Sequence, residues 1–188
     1  LRAPAGWVTA AQGFCVRSPQ RGEFANRPDL QGAVEFSTRE DDFLVTSHVN
    51  SDGDGIGSCL AMQIMLQNMG KKASVILQDI SPAYDFLDGW ENIQLAAVPP
   101  TTKQRKAIVL DCPALRRIGD VQHYLDEDTR ILKIDHHDNG QCFGTANVML
   151  PPASSCCELI YHLARAADLQ IDATVAAQLY TGILFDTG

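Results

Sequence analysis

From Asp42 onward the sequence alternates short apolar runs with segments of helical periodicity, and this alternation limits the possible folds more than any other feature. Residues 43–49 form a continuous β-favouring run, typical of a strand covered on both faces. Further strands are predicted at residues 73–77, 107–111 and 130–135, and helices at 56–69, 155–167 and 172 to about 185. Strands that alternate with helices predict an α/β fold, in which right-handed crossovers build an open parallel sheet with helices on both faces.

Polar residues follow the predicted strands at the point where each strand ends. In open parallel sheets, ligands bind outside the carboxyl ends of the strands, so these side chains are expected to meet in one crevice. They are His48, Asp52, Asp54, Asp111, Asp135, His136 and His137. Carboxylates and imidazoles together are suitable ligands for divalent cations.

The first of these motifs, between His48 and Asp54, places three potential ligands within seven residues. Its glycine suits a turn that folds around cations, and the amides at the start of the next helix suit an anionic phosphate oxygen. Aspartate and glycine are also common in ordinary turns, so this motif alone leaves both interpretations open. A single aspartate such as Asp111 more often caps a neighbouring element. The paired histidines after Asp135 have little structural rationale, and a carboxylate beside a ligating histidine can fix its tautomer.

Taken in chain order, the motifs resemble the signature motifs of the DHH phosphoesterases. They are His-x3-Asp-x-Asp beginning at His48, the strand-end Asp111, Asp135-His136-His137, and Thr-Gly-x3-Asp-Thr-Gly beginning at Thr181. The resemblance extends over about residues 42–188 and includes Pro152-Ala-Ser-Ser155 and Glu158. It implies a Rossmann-like sheet and a hydrolase of phosphate esters that uses two metal ions.

The resemblance also implies which residues hold the metal ions. One set consists of His48, Asp52 and Asp111. The other set consists of Asp54, Asp111, His136 and Asp186, so that Asp111 bridges the two ions. Nitrogen and oxygen ligands with several carboxylates suit Mn²⁺, with Mg²⁺ or Co²⁺ as possible substitutes.

Catalytic roles are implied in the same way for His137, Asp111 and Asp135. His137 is expected to contact the substrate phosphate, together with Gly57 and Ser58, and to stabilise it or assist proton transfer. Asp135 is expected to act from outside the set of metal ligands.

Composition limits the partners of the chain. A formal net charge of -8 and a pI near 4.9 argue against an extended grip on a long nucleic acid, which needs a basic surface. A short RNA or a small phosphorylated nucleotide is the expected partner, and an oligomer is left open. No apolar run approaches the ~20 residues of a membrane span, and a secretory signal is lacking, so a cytoplasmic protein is expected. None of the six cysteines lies in a CxxC pair, and all are expected to be reduced.

The chain is predicted to contain one catalytic domain, residues 41–188, after a poorly patterned N-terminal extension, residues 1–40, in which a short helix is possible. The Asp-Gly-Asp-Gly-Ile-Gly-Ser form of the first motif is similar to the family branch that degrades very short RNAs and dephosphorylates adenosine 3',5'-bisphosphate. In that branch a second domain with a glycine-rich loop holds the substrate, and this domain is expected to be absent here.

Other activities within the same family remain as alternatives. A family II inorganic pyrophosphatase shares the metal cluster but usually has threonine and serine in place of Gly53 and Gly55. Cyclic-dinucleotide phosphodiesterases share the cluster with a different first motif, and long-strand exonucleases of the RecJ type are expected to be more basic. A binding module that keeps the fold without turnover is the alternative outside the enzymes.

Overall fold

The computed structural model describes residues 27–97 and 100–188 of the chain. Its centre is a six-stranded sheet in the order β3-β2-β1-β4-β5-β6, and every neighbouring pair is parallel. The strands are β1 (Phe43–Thr46), β2 (Ala73–Leu77), β3 (Gln94–Leu95), β4 (Lys106–Leu110), β5 (Arg130–Asp135) and β6 (Ala146–Met149). The predicted α/β fold with an open parallel sheet is confirmed.

Four α-helices pack into the larger of two hydrophobic cores. They are α1 (Pro28–Arg39), α2 (Gly53–Asn68), α3 (Cys156–Ala166) and α4 (Ala173–Thr187). Along each strand, alternate side chains enter the other core, where Leu44 and Val109 pack with Ile118 and Val121 of the 3-10 segment Leu115–Tyr124, which is kinked at Gly119. In the described part of the chain, this second face is therefore covered by a 3-10 helix and loops, whereas the sequence predicted helices on both faces.

Helix α2 is buried on nearly all sides, which is typical of a helix enclosed by other elements. It begins at Gly53, three residues before the predicted start, because the Asp52 side chain accepts hydrogen bonds from the amides of Asp54 and Gly55. Ser155 and Asp172 cap α3 and α4 in the same way, as the sequence predicted.

Helix α1 lies within the stretch that was predicted to be a poorly patterned extension. It begins with Pro28 in the first turn and buries Leu30, Ala33 and Phe36 against α3 and β6. The ordered core thus includes a helix that the sequence indicated only as possible. The rest of the predicted extension, residues 1–26, lies outside the described residues.

The cysteines follow the prediction with one exception. Cys59, Cys112, Cys156 and Cys157 are free and fully buried, as expected for small apolar side chains. Cys142 is disulfide-bonded, so the prediction of a reduced thiol is wrong for this residue. Cys15 lies outside the described residues. The described helices include none with the length and apolar character needed to cross a membrane.

Candidate metal centre

The candidate site lies where the direction of strand addition reverses. The chain runs from β1 outward to β2 and β3, and then returns to place β4 on the other side of β1. The carboxyl ends of β1 and β4 therefore border the crevice in which parallel sheets bind ligands. His48 follows β1, Asp111 follows β4, and His136 follows β5.

The conformation of the loop after β1 is fixed by hydrogen bonds between side chains and backbone groups. The Ser51 hydroxyl donates to the His48 carbonyl at 2.5 Å, and the Asn50 amide donates to both Asp79 oxygens at 2.9 and 3.1 Å. His48 Nδ1 lies 2.8 Å from the Val49 carbonyl oxygen. A ring nitrogen paired with a carbonyl carries the proton, so His48 keeps Nε2 as the nitrogen that can bind a cation.

Asp111 occupies the centre of the site. Its side chain is nearly inaccessible, and its φ of 50° lies in the left-handed region that aspartate and asparagine tolerate better than most residues. Asp111 Oδ2 lies 3.3 Å from His48 Nε2, and Oδ1 lies 3.5 Å from His136 Nε2. The buried Oδ1 atom accepts no hydrogen bond within normal geometry. An unsatisfied buried carboxylate oxygen between two imidazole nitrogens fits a cation that both sides of Asp111 can share.

Two groups of side chains that could hold a metal ion flank Asp111. His48, Asp52 and Asp111 form one, and Asp54, His136 and Asp186 form the other, with ligand atoms in each group within 4.8 Å of one another. His136 Nε2 lies 3.2 Å from Asp186 Oδ2 and 3.8 Å from Asp54 Oδ2. The structure thus brings together all six residues that the sequence assigned to metal binding, although their role as ligands stays a prediction.

Asp54 is held by the start of α3. Its Oδ2 accepts from the Cys156 amide at 2.6 Å, and its Oδ1 accepts from the Cys157 amide at 2.8 Å. These amides belong to the first turn of a helix, where N–H groups lack partners within the helix and favour a negative charge. The α3 N-terminus therefore orients a carboxylate that lies more than 100 residues earlier in the sequence.

Burial and neighbouring charges together favour the protonated forms of Asp54 and His136. Burial raises the pKa of Asp54 to about 7, and the charge of Asp111 acts in the same direction. Burial would lower the pKa of His136, but the adjacent Asp111 carboxylate and the charges of Asp54 and Asp186 raise it to about 9. Burial would raise the pKa of Asp111, yet its contacts with His136 and His48 keep it below the ordinary value. Divalent cations would displace these protons and neutralise the surplus of carboxylates.

His137 contacts Asp135, and Asp135 in turn contacts a residue that the sequence did not indicate. His137 Nδ1 lies 2.7 Å from Asp135 Oδ1, and this hydrogen bond raises the pKa of His137. Asp135 Oδ2 in turn lies 3.0 Å from the ammonium group of Lys133, which is fully buried. The signal that could have revealed Lys133 is a lysine within the apolar run of a central strand.

Gly57 and Ser58 do not line the crevice as expected for residues that contact a phosphate. Both are buried in the second turn of α2, and the Ser58 hydroxyl donates to the Gly55 carbonyl at 3.1 Å. A Cβ atom at residue 57 would lie 2.5 Å from the Gln178 carbonyl oxygen, so this glycine permits the close contact of α2 with α4. The geometry assigns both residues to helix packing.

Comparison with known proteins adds independent information. The family described as "DHH family, N-terminal domain" matches residues 42–183. The chain belongs to the DHH family. This membership confirms the resemblance seen in the motifs and the prediction of a metal-dependent phosphoesterase domain.

Several curated proteins are similar to this DHH domain. The bifunctional oligoribonuclease and PAP phosphatase NrnA of Bacillus subtilis is 28% identical over 79% of this chain and 47% of that protein. The probable NrnA of Streptococcus mutans is 28% identical over 79% of this chain and 46% of that protein. A probable manganese-dependent inorganic pyrophosphatase of the same species is 25% identical over 77% of this chain and 47% of that protein. The chain spans somewhat less than half the length of these relatives.

Solved structures agree on the fold. An exopolyphosphatase-related protein from Bacteroides fragilis superimposes with a TM-score of 0.75 at 26% identity, covering 85% of this chain and 50% of that one. The exonuclease RecJ bound to manganese superimposes with a TM-score of 0.50 at 12% identity, covering 88% of this chain and 43% of that one. The second likeness concerns the fold alone.

Proposed function

We propose that this DHH domain is the catalytic part of a two-metal phosphoesterase that hydrolyses short oligoribonucleotides, adenosine 3',5'-bisphosphate, or both. One observation carries the proposal: two ligand groups meet at Asp111, whose buried Oδ1 is left without a hydrogen bond. His48, Asp52 and Asp111 would hold one ion, and Asp54, Asp111, His136 and Asp186 the other. The ligand chemistry favours Mn²⁺, with Mg²⁺ as the hard-cation alternative.

The residues of the chain would have separate roles around these ions. When bound, the ions lower the pKa of water and offset the negative charge that develops on the transferring phosphoryl group. Asp111 fixes the position of the two ligand groups relative to each other, because each of its oxygens faces a different histidine. His137 is partly exposed at the crevice, with 38% of its side chain accessible, so it can contact the phosphate. With Nδ1 bonded to Asp135, Nε2 is the nitrogen left for the substrate.

The substrate class is supported by the relatives named NrnA, which are bifunctional oligoribonucleases and PAP phosphatases. The acidic composition agrees with a short substrate that needs no extended basic surface. Inorganic pyrophosphate is the second candidate, because the manganese-dependent pyrophosphatase of Streptococcus mutans is similar over nearly the same share of the chain. Residues 41–188 would supply the catalytic groups, while a second domain would supply most of the substrate affinity.

The decisive experiment measures metal binding and hydrolysis separately. Titration calorimetry should show two Mn²⁺ ions per chain, and Mn²⁺-dependent hydrolysis should appear on adenosine 3',5'-bisphosphate or a di- or trinucleotide RNA. Pyrophosphate and cyclic di-AMP complete the panel and test the alternative activities. Metal binding without turnover on any of the four would instead indicate a binding module.

Asp111→Asn tests the role of Asp111 as a shared metal ligand, because asparagine also tolerates a positive φ and preserves the side-chain volume. It should lower turnover by more than about 100-fold, since losing only an outer partner of a metal ligand typically costs 10–100-fold. Asp128→Asn removes the same charge from an exposed carboxylate and should leave turnover unchanged. Near-normal activity of Asp111→Asn would contradict the bridging role.

A further inference from the structure

Lys133 is an unusual residue for its position. It lies on β5 between β4 and β6, paired with Val109 and Asn147, and its side chain is fully buried. Lysine is rarely buried completely, because removing an ammonium group from water is costly unless the group is paired and hydrogen-bonded. A residue of this kind at the base of a candidate catalytic site calls for a functional explanation.

The ammonium group of Lys133 joins three segments around the site. It lies 3.0 Å from Asp135 Oδ2 and donates to the Gln141 carbonyl at 2.7 Å and, more weakly, to the Pro113 carbonyl at 3.5 Å. It also lies 4.9 Å from the centre of the Phe143 ring. Pro113 belongs to the loop after Asp111, and the other two residues belong to the loop after His137. Lys133 therefore connects both loops to one carboxylate.

Asp135 uses a different oxygen for each partner. Oδ2 faces Lys133, whereas Oδ1 faces His137 Nδ1 at 2.7 Å and also accepts from the His137 amide at 3.3 Å. Lys133 and Asp135 are alternate residues of one strand, so their side chains point to the same face of the sheet. The position of the ammonium group thus determines where the carboxylate, and with it the imidazole, can lie.

A competing position for His137 exists nearby. Its Nδ1 lies 3.6 Å from Asp111 Oδ1, and Asp111, His136 and His137 together form a further group that could hold an ion. If Asp135 were released, His137 could turn toward Asp111 and the proposed metal ligands. Its Nε2 would then point in a different direction from the one that the bond to Asp135 sets.

We propose that Lys133 is a positioning residue, which anchors Asp135 and thereby keeps His137 bonded through Nδ1 and directed toward the substrate phosphate through Nε2. This inference rests on the proposed phosphoesterase function. Lys133 acts through Asp135 and makes no contact with the substrate itself. The anchored loops follow Asp111 and His137, so the same contact maintains the distance between the metal ligands and the phosphate-binding imidazole.

A double-mutant cycle separates positioning from a merely structural role. Lys133→Met should lower kcat by about 10–100-fold and change KM by less than about twofold, as is typical when an outer partner of a site is removed. In a His137→Ala background, Lys133→Met should change kcat by less than about twofold, because the group that it positions is gone. Equal losses of kcat in both backgrounds would overturn the proposal.

A second variant covers the risk that an unpaired Asp135 carboxylate unfolds the protein. Lys133→Met with Asp135→Asn replaces the buried ion pair by neutral groups of similar size, which is often tolerated. If Lys133 acts through Asp135, this double variant should regain thermal stability and have a kcat within about twofold of that of the Asp135→Asn single variant, at least about tenfold below wild type. Recovery of wild-type kcat together with stability would show that Lys133 has only a structural role.

Nitrogen NMR of the Mg²⁺-loaded protein gives a readout that needs no substrate. In wild type, the ¹⁵N shifts of His137 should show a single state with the proton on Nδ1 in the hydrogen bond to Asp135. In Lys133→Met they should show a mixture of tautomers or a new environment, and unchanged shifts would refute the inference. If wild type hydrolyses no member of the substrate panel, the proposed function fails while this measurement still decides the role of Lys133.

Discussion

Replacing Gly182 by alanine tests whether the close packing of α4 sets the geometry of the metal centre. Gly182 lies within α4, and Asp186 follows one turn later on the same helix. A Cβ atom on residue 182 would lie 2.3 Å from Cys157 Sγ, 2.7 Å from Asp54 Oδ1 and 3.0 Å from Asp54 Cα. Gly182 therefore lies directly against a proposed metal ligand.

The size of the effect follows from these distances. An ordinary contact is at least 3.4 Å, so the Cys157 sulfur would have to move by about 1.1 Å and the Asp54 oxygen by about 0.7 Å in a closely packed interior. Overpacking costs about 1–3 kcal/mol, whereas replacing a helical glycine by alanine contributes about 0.5–1 kcal/mol in the opposite direction. We expect the free energy of unfolding to fall by about 1–2 kcal/mol, which lowers Tm by about 2–8 °C.

Gly32→Ala is a matched control, since it makes the same change within a helix. Gly32 lies in α1, and a Cβ atom there would have no neighbour within 4 Å. This variant should gain up to about 1 kcal/mol of stability from the lower conformational entropy of the unfolded chain. Metal affinity and turnover should be unchanged, because α1 contributes no residue to the site.

Three measurements on the two variants complete the test. Thermal unfolding without metal gives Tm, calorimetry gives the Mn²⁺ affinity, and hydrolysis of the best substrate gives kcat. Gly182→Ala should bind Mn²⁺ more weakly and lose about 10- to 100-fold in kcat, since a misplacement of about 1 Å can cost about 100-fold and the Asp54 oxygen would move by about 0.7 Å. Equal Tm and equal Mn²⁺ affinity in the two variants would refute the argument that helix spacing positions Asp54.

Two further predictions concern protons and the helix cap. Folding raises the pKa values of His136 (to about 9) and Asp54 (to about 7). The metal-free protein should therefore lose stability as the pH rises from 6 to 8, and the increase in Tm caused by Mg²⁺ should become larger over the same pH range. An Mg²⁺-induced Tm increase that does not depend on pH would contradict the predicted proton release. Ser155→Ala removes the hydrogen bond to the Glu158 amide and should cost about 1 kcal/mol in stability and weaken Mg²⁺ binding. Thr38→Ala removes an exposed hydroxyl and serves as the control. If Ser155→Ala and Thr38→Ala had equal effects on Tm and on Mg²⁺ binding, a special role of the α3 cap would be excluded.

Local patterns in the sequence accounted for most of the sheet and for the location of the site. Residues 43–46, 73–77, 106–110 and 130–135 lie in short β-favouring apolar runs, and the length and β-branched residues of such runs favour a buried strand over a buried helix. Parallel strands place their carboxyl ends at one edge, so the polar residues after β1, β4 and β5 had to lie near one another. The proximity of His48, Asp111 and His136 follows from that rule and the order of the strands.

Elements that depend on their neighbours could not be predicted in this way. β6 consists of four residues with an asparagine among them, and its pairing with β5 makes it a strand. α1 contains glycine, serine and threonine, which are weak helix formers, and burial of Leu30 and Phe36 compensates for that weakness. In both cases tertiary packing outweighs local preference.

By itself, then, the sequence determined most strands of the α/β sheet and the order of the motifs, because both are encoded in neighbouring residues, and the resemblance of those motifs to the DHH family implied the set of candidate ligands. Only the tertiary structure decided how the ligands are held. The amides of α3 reach Asp54, Gly182 leaves room for its carboxylate, and Lys133 anchors Asp135 beneath His137. These contacts join residues from different strands, helices and loops, and their energies depend on burial, which exists only once the chain has folded.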